Sequence, residues 1–162
     1  MAMDKAQFRR TAGLFATGVT VVTTVWGDAM HGMTANSFTS VSLDPTLILI
    51  SVENTAYLHE LLPLSKIFAV SILSAEQEHL SRFFATAGHR GQGEFDGIET
   101  KHAETGAPII AGAMGYLDCR VVDAMPAGDH TVYLGEVVAM GVDAVAKPLI
   151  FYRGKYWGLD GD

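Results

Sequence analysis

The side chains that could do chemistry in this chain are mostly small hydroxyl and amide groups, not acid–base pairs. Between Gly32 and Val52 the sequence GMTANSFTSVSLDPTLILISV places Thr34, Ala35, Asn36, Ser37, Thr39, Ser40 and Ser42 in one short polar run. Such a run offers hydroxyl, amide and backbone donors without bulk, which suits close approach to a planar, polar-edged ligand carrying a phosphate. The same residues also suit an ordinary Ser/Thr-rich strand and turn. Leu43-Asp44-Pro45 breaks the run, and Leu47-Ile48-Leu49-Ile50 reads as a buried strand ending at Ser51 and Val52. Asn54 or Thr55 can then cap a helix whose start favours an anion, although Glu53 sets an acid beside it.

Two further stretches carry candidate residues. Gly128–Val137, GDHTVYLGEV, sets His130 between a turn and a strand. There an imidazole can donate a hydrogen bond or pack against a planar ring, or simply cap the strand. Phe151–Leu159, FYRGKYWGL, reads as a terminal hairpin turning at Arg153-Gly154-Lys155, with Arg153 available to a pyrophosphate and Trp157 in the core.

Several familiar constellations are missing. Gly91-Gln92-Gly93 meets Asp96 where GxGxxG needs its third glycine, so a Rossmann-type nicotinamide site is unsupported. His59-Glu60 meets Pro63 in place of the second histidine of HExxH. No GxSxG elbow occurs, and the histidines lack metal-ligand spacing. The single Cys119 excludes an internal disulfide, and its alternation with Leu117 and Val121 reads as a small core residue.

The elements that must position these residues follow from periodicity. Asp4–Phe15 reads as a helix with Phe8, Ala12 and Phe15 on one face, and Asp4 with Gln7 resembles a capping box. Val19–Trp26 is a β-branched strand, turned by Gly27-Asp28. Leu58, Leu61 and Leu62 form the buried face of a short helix that Pro63 stops, and Lys66–Leu73 is a strand. Ser74–Gln77 is a capping box for a helix that buries Leu80, Phe83 and Phe84. The glycine-rich Gly88–Gly93 reads as a surface loop. Tyr116–Val122 and His130–Val142 are strands around a turn at Met125–Asp129, and Gly135 marks a bulge or close approach. Six or seven strands without regular helix alternation disfavour a doubly wound sheet and fit a mainly β, mostly antiparallel barrel with short helices over its ends.

Composition narrows the class further. At 162 residues the expectation is a single domain, 1–162, with a sizeable core. A formal net charge of −7, with no basic cluster beyond Arg9-Arg10, argues against nucleic acid as a partner. No apolar run approaches the roughly 20 residues needed to span a bilayer, and the first residues lack a signal peptide's apolar core. No membrane association and a cytoplasmic location are expected.

Four stretches in the same order and spacing resemble the flavin reductase-like family, the FMN-binding split-barrel reductases. They are the block from Phe15 through Thr17, Gly18 and the following valines, the Gly32–Val52 run, Gly128–Val137, and Phe151–Leu159; the resemblance as a whole runs from Phe8 to Leu159. The resemblance implies an FMN-binding split β-barrel that passes hydride from the nicotinamide C4 of NADH, or NADPH, to the N5 of FMN, or FAD. It implies a homodimer that supplies reduced flavin, by diffusion, to a separate flavin-dependent monooxygenase. A non-catalytic flavin-binding or electron-transfer protein of flavoredoxin type is the alternative. By the same resemblance Thr34, Ala35, Asn36 and Ser37 meet the flavin ring and ribityl chain. Ser51, Val52, Asn54 and Thr55 lie near its phosphate, and Phe83, Phe84 and Arg153 approach the flavin. Thr17, Gly18, Gly128, Asp129 and His130 lie on the nicotinamide side, with His130 as the catalytic residue that positions the ring. No metal is implied.

Overall fold

The computed structural model describes residues 2–86, 88–90, 93–143 and 145–159. The described elements run α1 (Lys5–Ala12), β1 (Thr17–Gly18), β2 (Thr20–Trp26), β3 (Ala29–Ala35), β4 (Phe38–Leu43), β5 (Thr46–Glu53), α2 (Tyr57–Ser65) and β6 (Ile67–Ile72). A 3₁₀ turn (Ala75–Gln77) leads into α3 (Glu78–Ala85). Then follow β7 (Thr100–Lys101), β8 (Ile109–Ile110), β9 (Gly115–Ala127), β10 (His130–Val142), β11 (Ile150–Tyr152) and β12 (Lys155–Trp157).

Seven strands form one sheet in the order β3-β2-β6-β9-β10-β5-β4, every neighbour antiparallel. Its outermost strands, β3 and β4, are consecutive in the chain and separated only by Asn36 and Ser37. A connection this short reaches at most about 11 Å, so the two sheet edges must meet at that point and the sheet curls into a barrel. They meet without pairing. The Thr20 hydroxyl donates to Ala35 O at 2.7 Å on one side of the seam. On the other side Ser51 N–H donates to Ser37 O at 3.2 Å, and Ser37 Oγ donates to Ser51 O at 2.7 Å. The barrel is therefore split along a line that starts at Asn36-Ser37.

The barrel interior is packed by Ile48, Ile50 and Val52 of β5, Val22, Phe68, Val70, Cys119 and Tyr133, with Leu58 and Leu62 of α2 closing one end. Burial of this apolar surface, at about 25 cal/mol per Å², supplies most of the fold's stability. A second cluster on the other face of β2 joins Val19 and Val21 to Phe84, Phe95, Ile110 and Leu149. With packing on both faces, Thr20–Thr24 is buried throughout and shows no alternation of exposure. Two glycines permit close approach. A Cβ at Gly135 would lie 2.4 Å from the Phe68 ring, and one at Gly32 would lie 2.7 Å from Phe84. The register shift at Leu134/Gly135 is the bulge expected from the sequence.

Four expectations need correction. α1 ends at Ala12 and none of its residues is buried; Phe8 and Phe15 are 66% and 80% exposed. Asp4 caps it through Ala6 N–H at 2.9 Å, without a reciprocal bond from Gln7. Neither Asn54 nor Thr55 caps α2. Ala56 is its N-cap without a side-chain bond, and Pro63 lies inside the helix, which continues to Ser65. Trp157 lies outside the core at 52% exposure, its indole N–H donating to Tyr152 O at 3.1 Å. Finally, β9 continues through Pro126, leaving only Gly128-Asp129 as the turn. Beyond Val121 the strand has outrun β6, so the proline sits on an edge where no partner needs its missing N–H. Gly91 and Gln92 of the glycine-rich loop lie outside the described residues.

Candidate functional site

A cavity of about 600 Å³ opens at the barrel's seam. Polar groups come from Thr17 and Gly18 of β1, Asn36 and Ser37 at the joint, and Ser51 of β5. Apolar walls come from Phe15, Phe38, Leu49 and Ile72. Its size and its mix of apolar walls with a few convergent polar groups are those of a small-molecule or cofactor pocket. Thr17 Oγ1 is buried and has no hydrogen-bond partner among the described residues. An orphaned buried hydroxyl costs about 1–3 kcal/mol, which a bound ligand's heteroatom would recover. Asn36 is exposed at the joint with its side-chain amide uncommitted among the described residues.

Strand alternation explains which residues reach this cavity. Along β5, Ile48, Ile50 and Val52 point into the core, whereas Leu49 and Ser51 point outward to the cavity. Val52 is thus a core residue behind the site. Ala35 is buried at the seam, and the Thr34 hydroxyl is spent on Ser81 O of α3 at 2.6 Å. These residues shape the seam from behind without lining it.

The other expected residues lie elsewhere. Asn54 is a clasp between the end of β5 and the β9–β10 turn. Its N–H donates to Asp129 O at 2.9 Å, its Nδ2 donates to Gly128 O at 3.3 Å, and its Oδ1 accepts from Thr131 Oγ1 at 2.8 Å. Thr55 lines a second cavity of about 230 Å³ beside His31, Tyr57 and Arg90. Phe83 stacks edge-on against Phe84 and lies 4.2 Å from the His89 ring. Arg153 lines a separate basic cavity at the terminal hairpin.

His130 opens β10 directly opposite Glu53, and Val132 lies opposite Ser51. Directly paired residues share a face, so His130 is on the outward face that carries Ser51, one diagonal step further along. Such diagonal neighbours stand about 7–8 Å apart. The Asp129 carboxylate lies 2.7 Å from His130 Nδ1; a carboxylate only accepts, so Nδ1–H donates and Nε2 is left to meet a ligand. That hydrogen bond and the imidazole's charge hold the Asp129 carboxyl below its ordinary range.

Two polar pairs, one buried and one part-buried, escaped the sequence reading. His31 Nδ1 lies 2.8 Å from Glu94 Oε2, and Glu94 Oε1 also accepts from Gly32 N–H at 3.2 Å. Tyr133 OH lies 2.7 Å from His59 Nδ1, and burial pushes the phenol's pKa up. No periodicity signals either, because the partners come from distant segments. Among the described residues no group of His, Cys, Asp and Glu is arranged to hold a metal ion. No helix among them is long and apolar enough to cross a membrane.

Residues 12–160 match the family model described as "Flavin reductase like domain". The chain is 44% identical over 155 residues to an NADH-dependent FAD reductase of Streptomyces globisporus, covering 94% of this chain and 85% of that one. It is 37% identical over 160 residues to the reductase subunit HsaB of a flavin-dependent monooxygenase of Mycobacterium tuberculosis, covering 98% and 84%. Among solved structures it is similar to the S. globisporus NADH:FAD oxidoreductase SgcE6 in complex with NAD and FAD fragments. There the TM-score is 0.91 at 43% identity, over 98% of this chain and 94% of that one.

Proposed function

The chain belongs to the flavin reductase-like family, and from that premise we propose that its flavin and nicotinamide meet at the seam cavity. The protein is an NADH-dependent flavin reductase, an oxidoreductase of the kind that serves two-component monooxygenases. The observation that carries the site is the about 600 Å³ cavity at Asn36-Ser37. It has apolar walls for a planar ring, and an orphaned hydroxyl at Thr17 and an open amide at Asn36 for the ring's polar edge. These residues fit a flavin.

When both are bound, the nicotinamide and the flavin supply the redox chemistry themselves through hydride transfer. The chain's own part is orientation. Thr17, Gly18, Asn36, Ser37 and Ser51 hold the flavin, while Phe15 and Phe38 exclude water from its face. His130 reaches in from the same outward face of the sheet as Ser51, and Asp129 fixes its ring through Nδ1. Its role is to position the nicotinamide and not to carry a proton. By holding the two rings at contact distance, these residues would make the transfer effectively unimolecular. No acid–base pair is needed, which accounts for the scarcity of dyads facing this cavity.

Residues 1–162 act as a single domain, FMN or FAD is released to a separate oxygenase by diffusion, and the enzyme works in the cytoplasm as a homodimer. Support for the dimer comes from α1, which buries none of its own residues, and from exposed Phe8, Phe15, Met125 and Met140. Steady-state oxidation of NADH and NADPH against FMN, FAD and riboflavin tests the activity. Turnover with catalytic enzyme and excess flavin is expected. A single stoichiometric reduction of bound flavin would point instead to an electron carrier. Light scattering at micromolar concentration is expected to give twice 17.4 kDa.

A further inference from the structure

The inner face of the β9–β10 hairpin carries a cavity that takes no part in the seam. It measures about 460 Å³ and lies between α2 and the hairpin, behind the strand whose outer face bears His130. Register explains its walls. Tyr133 pairs with Ala124 and Thr131 with Pro126, so these four share the face that becomes the barrel core further along the strands. Beyond Val121 the hairpin has outrun β6, and Leu62 and Pro63 of α2 close the space instead. Among the described residues no carboxylate lines this cavity, and Lys66 is the one lysine or arginine that does.

Two of its polar groups are left over by the fold. The Tyr133 hydroxyl lies 2.7 Å from His59 Nδ1 and has no other hydrogen-bond partner among the described residues. Burial raises the phenol's pKa, so it keeps its proton and donates it to Nδ1. The imidazole's own proton is then on Nε2, a donor with no partner among the described residues. Lys66 ends α2 in the left-handed conformation, with φ of 58°, where glycine is the usual residue. A cation at a helix end complements the dipole, which accounts for a charge there but not for a long side chain in this conformation. Lys66 forms no ion pair and covers no aromatic ring among the described residues.

We propose that this cavity binds a small aromatic monoanion, such as a benzoate, as an effector of NADH oxidation. Leu62, Pro63 and Pro126 give rigid apolar walls for a ring, while Lys66 and His59 Nε2–H give its anionic oxygen a charge and a donor. A cation is disfavoured because no carboxylate faces it, and a multiply charged ligand because only one ammonium does. Asn54 lines the same cavity and links it to the nicotinamide side. Its Nδ2 donates to Gly128 O at 3.3 Å, and its N–H donates to Asp129 O at 2.9 Å. A ligand packed against Asn54 and Thr131 therefore bears on the turn that holds Asp129 and His130. The effector role rests on the positioning role proposed above for His130; the binding site itself does not.

The test titrates benzoate, and benzamide as its neutral isostere, into wild type, Lys66→Gly and Lys66→Arg by calorimetry, with and without saturating FMN. Lys66→Gly puts the residue that the helix end favours in place, so a thermal melt should show no loss of stability while the charge is gone. Benzoate is expected to bind wild type and Lys66→Arg whether or not FMN is present, and Lys66→Gly at least about tenfold more weakly. Benzamide should bind wild type as weakly as benzoate binds Lys66→Gly. Saturating benzoate should change kcat/KM for NADH about two- to threefold in wild type and leave Lys66→Gly unmoved. Binding that FMN abolishes, or that Lys66→Gly retains in full, would overturn the proposal. So would an absence of binding; a light-scattering mass that also falls to 17.4 kDa in Lys66→Gly would then give the cavity to a second copy. Lys66-dependent binding without a kinetic response would overturn the effector role. A benzoate response in wild type that persists in His130→Ala would fault the role given to His130 and leave this site standing.

Discussion

The two faces of the β5–β10 strand pair divide the labour of this molecule. Inward, Ile48, Ile50, Val52, Tyr133 and Gly135 are buried with Phe68 and Cys119, and Thr131, buried on the same face, donates to Asn54 Oδ1. Outward, Leu49, Ser51, Glu53, His130, Val132 and Leu134 are part-exposed or open, and the same stretch borders the seam cavity and ends at the hairpin histidine. Alternate residues of the same strands thus serve a close-packed core and a ligand surface. Substitutions on the inner face should be read in stability and those on the outer face in affinity or rate, and each prediction below tries to break that separation.

The largest effect is expected at Gly135. A methyl there would sit 2.4 Å from the Phe68 ring and 3.0 Å from the Cys119 Cβ. Overpacking of this kind costs about 3 kcal/mol, so Gly135→Ala should lower the Tm by roughly 6–12 °C. A melt within about 2 °C of wild type would mean that the inner face yields more than its packing implies.

Cys119 gives the next effect, as a pH dependence. Burial first, and the neighbouring Asp118 charge second, push its thiol from 9.0 up to about 12. The folded state then keeps a proton that the unfolded chain has lost, so stability falls as pH rises between those values, by about 1.4 kcal/mol per unit. Below pH 9 this contribution is fully present. Chemical denaturation of wild type and Cys119→Ala from pH 8 to 11 should show the extra slope in wild type alone. Ellman's reagent at pH 8 should leave the native thiol unmodified and titrate it after unfolding.

Asn36→Trp comes third and probes the outer side. Bulk at the exposed joint should block ring approach and weaken flavin binding at least tenfold, about 1.4 kcal/mol, while the melt stays near wild type because no core contact is touched. Fluorescence titration with FMN and riboflavin measures this. Unchanged affinity would move the flavin away from the seam.

The division between the faces also marks how far the sequence could be read. The strand at β5 and the close approach at Gly135 are local patterns, and both appear in the structure, although Leu47 and Leu49, as apolar as Ile48 and Ile50, are only partly buried. The cavity's polar lining was legible where residue type and strand phase coincide, as at Asn36, Ser37 and Ser51. Thr34 and Asn54 have suitable types, but their hydrogen-bonding groups are taken by Ser81 O and by the β9–β10 turn, respectively. Those partners are remote in the chain, and a single sequence holds no record of such pairing. Phe8, Phe15 and Trp157 show the opposite limit. Their apolar character predicted burial, yet the chain leaves them open, because apolar character does not specify whether a surface is covered by its own fold.

His130 carries the smallest expected effect and the sharpest test of the outer face. It lies on that face beside Ser51, its Nδ1–H held by Asp129, so its free edge can orient a nicotinamide without entering the core. Removing one neutral hydrogen bond or ring contact costs about 0.5–1.5 kcal/mol, so His130→Ala should lower kcat/KM for NADH roughly two- to tenfold. Flavin affinity and Tm should barely move. A loss of many thousandfold would require proton transfer in the rate-limiting step and would overturn a purely positioning role. Weakened flavin binding with unchanged kcat/KM would put the imidazole against the flavin instead. A fall in Tm like that of Gly135→Ala would mean that the outer face also bears the fold, and the separation between the two faces would fail where it matters most.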